Sequence, residues 1–125
     1  MAVVSVAGAA FTVEVGATQY EDQITTGTIT TTPTIVRTKT LSDVAFDQTD
    51  LNSSVSLEFL YDENTGLYDA LQTAIAGATS VAVTIESAVG VWTGAAMYID
   101  SAEVTFDAAG VATCSVSMQG TVTFA

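Results

Sequence analysis

The feature that most constrains this chain is a strict alternation near its end. From Val111 to Gln119, Ala112, Cys114, Val116 and Met118 interleave with Thr113, Ser115, Ser117 and Gln119 without a miss. A two-residue repeat places one set on each face of a β-strand, so this segment hides one face and wets the other. The same pattern recurs in Phe11, Val13 and Val15 against Thr12 and Glu14, and in Val55, Leu57 and Phe59 against Ser56 and Glu58. Val81, Val83 and Ile85 line one face of residues 80–86, and residues 91–99 and 102–107 read as two further strands. The turn between the last two strands is Asp107-Ala108-Ala109-Gly110.

Other segments carry different signals. Residues 23–32 are threonine-rich and β-branched, Pro33 stops them, and residues 34–41 resume, which predicts a long polar hairpin. Residues 42–54 hold enough Ser, Asp, Asn and Gln to predict a long loop, yet they carry Val44, Phe46 and Leu51. A bare solvent loop does not need such side chains, and long loops in compact domains tend to be functional. Val44, Phe46, Asp47, Asp50 and Leu51 are therefore candidate contacts to a partner. One helix is expected after Tyr61, capped by Asn64 or Thr65, with Asp62, Glu63 and Asp69 favouring its positive end and Gly77 as the C′ glycine. Leu67, Leu71 and Ile75, with Ala70 and Ala74, would form its packing stripe.

About eight strands and one short helix make a mainly β chain, a two-sheet sandwich or barrel-like fold with the helix on one side. The 125 residues suit a single domain, and no repeat or linker divides residues 1–125. The apolar run at residues 2–11 lacks a basic start and reads as structure, with residues 1–9 a candidate N-terminal arm. No window approaches 18 unbroken apolar residues, so no membrane span is expected. Thr, Ser, Ala and Gln, rather than Lys and Glu, occupy most of the non-core strand faces. Such faces suit sheet extension between copies better than they suit a solitary edge-protected monomer.

Charge narrows the function classes. Fourteen acids face only Arg37 and Lys39, a net charge of −12, so phosphate-neutralising contacts to nucleic acid are not to be expected. With no histidine and one lysine, Ser-His and Ser-Lys catalysis lack their residues, and the single Cys114 cannot join a zinc set. Asp43, Asp47 and Asp50 lack the spacing and turn glycine of a calcium loop. No enzyme activity, cofactor or metal is implied. Arg37 and Lys39, two apart on a strand, share one face and are candidates for ion pairing with acids of a neighbouring copy.

The order of these features is itself a signal. Tyr20-Glu21-Asp22-Gln23 leads into the threonine-rich run, followed by Arg37-Thr38-Lys39-Thr40-Leu41. Leu57-Glu58-Phe59-Leu60-Tyr61-Asp62 runs into the helix, and Ala102-Glu103-Val104-Thr105-Phe106 precedes the last long strand. Over residues 10–124 this resembles the major tail protein, or tail tube protein, of long-tailed, non-contractile bacteriophages. The resemblance implies hexameric rings, with inner sheets closing into one barrel, stacked into a tube that conducts viral DNA without specific binding. It implies that residues 42–54 and the N-terminal arm grip the next ring. It further implies tape-measure, tail-tip and tail-terminator partners, and a place in the virion tail after assembly in the host cytoplasm.

Two other readings share the composition. A capsid decoration protein or adhesin-like β-sandwich would be a binding module that stays monomeric or trimeric by itself. The inner tube of a contractile tail or tailocin would assemble much as a siphophage tube does.

Overall fold

The structure, a computed structural model, describes residues 8–20, 23–61 and 66–125. After a 3-10 turn at Gly8–Ala10 come β1 (Thr12–Val15), β2 (Thr18–Gln19), β3 (Ile24–Lys39) and β4 (Val44–Leu60). Then follow α1 (Leu67–Ala76), β5 (Val81–Ser87), β6 (Gly90–Thr105), β7 (Thr113–Gly120) and β8 (Thr123–Phe124). The strands form one antiparallel path, β2-β1-β5-β6-β7-β4-β3, with β8 added on β6. The path is folded at β6, whose first half pairs with β5 and β8 and whose residues 98–105 pair with β7. A strand that changes sheet part-way gives a sandwich of two sheets, here β2-β1-β5-β6-β8 facing β6-β7-β4-β3.

The core lies between them. Val13, Val15, Val83 and Ile85 meet Val55, Leu57, Phe59, Cys114, Val116 and Met118, with Leu67 and Leu71 of α1 closing one side. Hiding a side chain such as Leu57 or Phe59 contributes roughly 1.5–3 kcal/mol. Ser53, also buried, accepts a hydrogen bond at its Oγ from the Val122 N–H at 3.3 Å, tying the chain end to β4.

Several expectations change. Residues 23–32 and 34–41 are not two arms of a hairpin but the single strand β3, and Pro33 lies within it. β3 is the last strand of its sheet, and at an edge a residue without an N–H leaves no ladder bond unmade. Residues 42–54 are not a loop either: from Val44 onward they belong to β4 and pair with β3 along its whole length. Residues 91–99 and 102–107 are one strand, β6, whose register shifts between Ile99 and Ser101. These long strands lack a continuous apolar alternation because they outrun the core.

The helix also differs in detail. Leu67, Leu71 and Ala74 are buried, but Ala70 and Ile75 point outward. Its N-cap is Gly66, and the Leu67 N–H is taken up by the Gln23 side-chain oxygen at 3.2 Å. Asp62, Glu63, Asn64 and Thr65 lie outside the described residues, as does residues 1–7 of the expected arm. Gly77 is the C-cap in the right-handed region, and it is Ala78 that takes the positive φ of 52°. At the β1–β2 hairpin, Gly16 and Ala17 both have positive φ, the two-residue turn whose twist matches paired strands.

Candidate self-assembly surfaces

The second sheet, β6-β7-β4-β3, has two open edges. Along residues 98–105, β6 pairs only with β7 among the described residues, and β3 pairs only with β4. From Ile24 to Thr32, β3 has no charged side chain to discourage pairing with another strand. Successive strands are antiparallel across four positions, so β3 and β6 run in opposite directions. An edge of one copy laid beside the other edge of a second copy would continue the antiparallel ladder.

The outer face of this sheet is built from hydroxyls and acids in register. One row runs Thr28, Ser56, Ser117, Ser101; the next runs Thr26, Glu58, Ser115, Glu103; a third runs Thr30, Ser54, Gln119, Tyr98. Residues directly opposite in a ladder share a face, so the rows follow from the pairing alone. Alternation along single strands located these side chains on non-core faces; it did not show that four strands would align them into one surface.

Beyond the body, β3 and β4 continue as a two-stranded arm. β7 supports β4 only from Ser53 to Leu60, leaving residues 44–52 and their β3 partners to project by about 30 Å at ~3.4 Å per residue. The tip is tied by the Thr40 N–H to the Asp43 carbonyl at 2.8 Å, and the Val44 N–H donates to Asp43 Oδ1 at 2.7 Å. Thr49 is an extra residue on β4 where Thr34 pairs with Asp50 and Ile35 with Gln48, a β-bulge that bends and twists the ribbon.

This geometry sorts the candidate residues onto two faces. Arg37 is opposite Phe46, Lys39 opposite Val44, and Leu51 opposite Pro33. By alternation along β3 these lie on the side that, lower in the sheet, points into the core with Ile29. Asp47, opposite Val36, and Asp50, opposite Thr34, lie on the other side, continuous with the hydroxyl and acid face. Asp50 Oδ1 also accepts the Leu51 N–H at 2.9 Å, which holds it beside the bulge. Arg37 and Lys39 are exposed, and neither makes an ion pair among the described residues.

Elsewhere, a cleft of about 890 Å³ opens between the sheets near Phe11, Trp92, Ile24 and Ile29, and among the described residues no titratable side chain lines it. Cys114 is buried at 3% exposure, and burial pushes its thiol pKa up. Among the described residues no group of three or more His, Cys, Asp or Glu converges to hold a metal. Among the described residues no helix is long and apolar enough to cross a membrane.

Neither a protein-family profile nor a curated protein matches the sequence. Solved structures do match in shape. A chain from the virion of a native gene transfer agent particle superposes with a TM-score of 0.81 at 11% identity, over 97% of this chain and 99% of the other. The SPP1 tail tube superposes at 0.79 and 12% identity, over 96% of this chain and 78% of that one. A chain of an extracellular contractile injection system, from its sheath/tube terminator, superposes at 0.78 and 12% identity, over 100% and 99%.

The chain has the fold of a tail tube subunit. The tail tube fold matches the expected class, mainly β with two sheets and one helix, and the likeness extends over nearly the whole chain. At such low identity it carries the architecture and no residue-level correspondence.

Proposed function

We propose that the chain is a structural subunit that closes into hexameric rings stacked as the hollow tube of a virion tail, through which DNA passes. The observation that carries this reading is the pair of open, oppositely directed edges on one four-stranded sheet. A head-to-tail contact between different surfaces generates a ring when the rotation closes, and pairing β3 of one copy with β6 of the next is such a contact. A chain of similar fold occurs in a gene transfer agent tail solved with C6 symmetry, which motivates six copies. Six four-stranded sheets give about 24 strands ~4.8 Å apart, hence a backbone diameter of at least ~37 Å, and more when the strands tilt. That leaves room for a B-form duplex.

The face turned to such a channel would be the hydroxyl and acid rows, without a cation in the body of the sheet. Six copies at −12 carry 6 × −12, or about −72 per ring, a field that lets a polyanion slide without adhering. Arg37 and Lys39, on the opposite side of the arm, stay off that path. The arm, with Val44, Phe46 and Leu51 beside the cations, would reach the next ring. Assembly in the host cytoplasm with tape-measure, tail-tip and terminator proteins belongs to this reading. So does a non-contractile tail, with a contractile tube as the variant that similarity to an injection system keeps in play.

The test is negative-stain electron microscopy of purified protein across a salt series. Hollow tubes or six-membered rings support the reading, and salt should favour stacking by screening like-charged rings, since the Debye length falls from about 10 Å at 0.1 M to about 3 Å at 1 M. Monodisperse particles at every salt and concentration, with a tail-tip template also failing to start growth, would instead favour a decoration or adhesin-like module.

A further inference from the structure

An arm that reaches the next ring would need a complementary surface there, and the opposite end of the same sheet has the features of one. There β4, β6 and β7 end together: Leu60 and Thr105 both pair with Thr113, and the Tyr61 N–H donates to the Ala112 carbonyl. Just past these strand ends, Tyr61, Phe106 and Val111 are exposed at 41%, 81% and 74%. Single exposed apolar residues are ordinary, but three gathered at one end of a sheet mark a contact surface. Among the described residues, two acids adjoin these aromatic side chains in the chain, Asp107 after Phe106 and Asp69 after Tyr68. Asp107 holds the β6–β7 turn through the Ala109 N–H at 3.0 Å, and the Tyr68 ring meets Tyr61 edge-on at 5.7 Å.

The arm presents the complement at the other end. Ile35 and Phe46 are 60% and 68% exposed and share a face with Arg37 and Lys39, the only cations of the chain. Apolar side chains beside two cations at one end therefore correspond to apolar side chains beside two acids at the other. The two surfaces differ and sit at opposite ends of one sheet, so a contact between them would be head-to-tail and could extend from copy to copy.

We propose that the arm of one copy docks on the Tyr61–Phe106–Val111 end of a copy in the adjacent ring, with Arg37 and Lys39 paired to Asp69 and Asp107. The occupant is a second copy of this chain, and the inference rests on the tube reading above. Charge pairing fixes the register of the contact while the apolar side chains exclude water from it.

The experiment uses the full chain in a Cys114→Ser background. Chains carrying Lys39→Cys are mixed with chains carrying Asp107→Cys, assembled and oxidised, then run on a non-reducing gel. In parallel, the double variant Arg37→Glu/Lys39→Glu is examined by microscopy, alone and with added Asp69→Lys/Asp107→Lys chains. The expected result is a covalent dimer formed only in the mixture, rings that do not stack from the first charge variant, and stacks restored by the second. If the parent protein forms tubes while the mixture gives no dimer and the charge-reversed arm stacks normally, the docking site is wrong and the tube reading stands. If the parent protein forms neither rings nor tubes, it is the tube reading that fails, and this inference with it.

Discussion

Gly120 lies directly against the bend in β6: a Cβ built on it would stand 2.8 Å from Met97 Sδ and 2.8 Å from the carbonyl oxygen of Ala96. Met97 is fully buried at the point where β6 leaves one sheet for the other, and Gly120 ends the β7 ladder opposite Ser53. A flexible thioether can move aside; the Ala96 carbonyl is part of the backbone and cannot do so cheaply. Gly120→Ala is expected to destabilise the monomer by about 1–3 kcal/mol, as overpacking of a filled core does. A thermal or urea melt measures it, and an unchanged midpoint would mean that the two sheets are not held this tightly.

Ala78 sits in the left-handed region just beyond the helix, where an L side chain crowds the carbonyl that follows it. Replacing it with glycine removes that crowding but adds freedom to the unfolded chain, so the net stabilisation expected for Ala78→Gly is about 0.5–1 kcal/mol. Gly77→Ala is the informative companion, because Gly77 is right-handed and should gain nothing from being glycine. If Gly77→Ala proves the more damaging and Ala78→Gly destabilises, the helix ends differently.

The Cys114 thiol should be inert while the chain is folded. Its unfolded pKa is near 9.0, and burial raises the folded value, so above that pH the folded state holds a proton that the unfolded state has released. Stability is accordingly level below pH 9 with respect to this group and declines as pH climbs past it. The measurement is denaturant melts from pH 7 to pH 10.5 for the parent and Cys114→Ala, whose alkaline decline should be shallower. Labelling with a thiol reagent at pH 8 should be slow until denaturant is added; rapid labelling of native protein contradicts the burial.

Glu58 and Glu103 stand in one row across Ser115 on the face assigned to the channel. Converting both to lysine should leave ring and tube formation intact, because Glu58 lies on an interior strand, and Glu103, although on the open edge of β6, would leave the backbone groups of that edge free to pair. The tubes should then retain duplex DNA at low salt and release it as salt rises, the mark of phosphate contacts. Glu86→Lys, on the first sheet, serves as the control. Equal DNA retention by both variants would remove the distinction between the faces.

How much of this was legible in the chain depended on whether a residue has a core to face. Val111 to Gln119 announced β7 because Cys114, Val116 and Met118 are buried while their neighbours are not. Val44, Phe46 and Leu51 suggest a partner contact in the sequence but do not signal a strand, since the arm projects past the core and neither face of it is buried. Pro33 signals a stop in the sequence because an edge strand cannot be told from a central one before the sheet order is known. The ranking of Ile75 as a packing residue followed its chemistry, whereas the smaller Ala74 is the one turned inward. The row of hydroxyls needed cross-strand register, which no single segment contains.

Thr49 separates two properties that a strand ordinarily couples. Because it is the surplus residue, removing it would leave Phe46 and Leu51 on the same side of β4 and Asp47 and Asp50 on the other, while taking out the bend it introduces. The chemistry of the arm and its direction are thus set by different parts of the chain. A polymer of chains without Thr49 would keep the same joints and the same lining yet be wound to a different helical pitch.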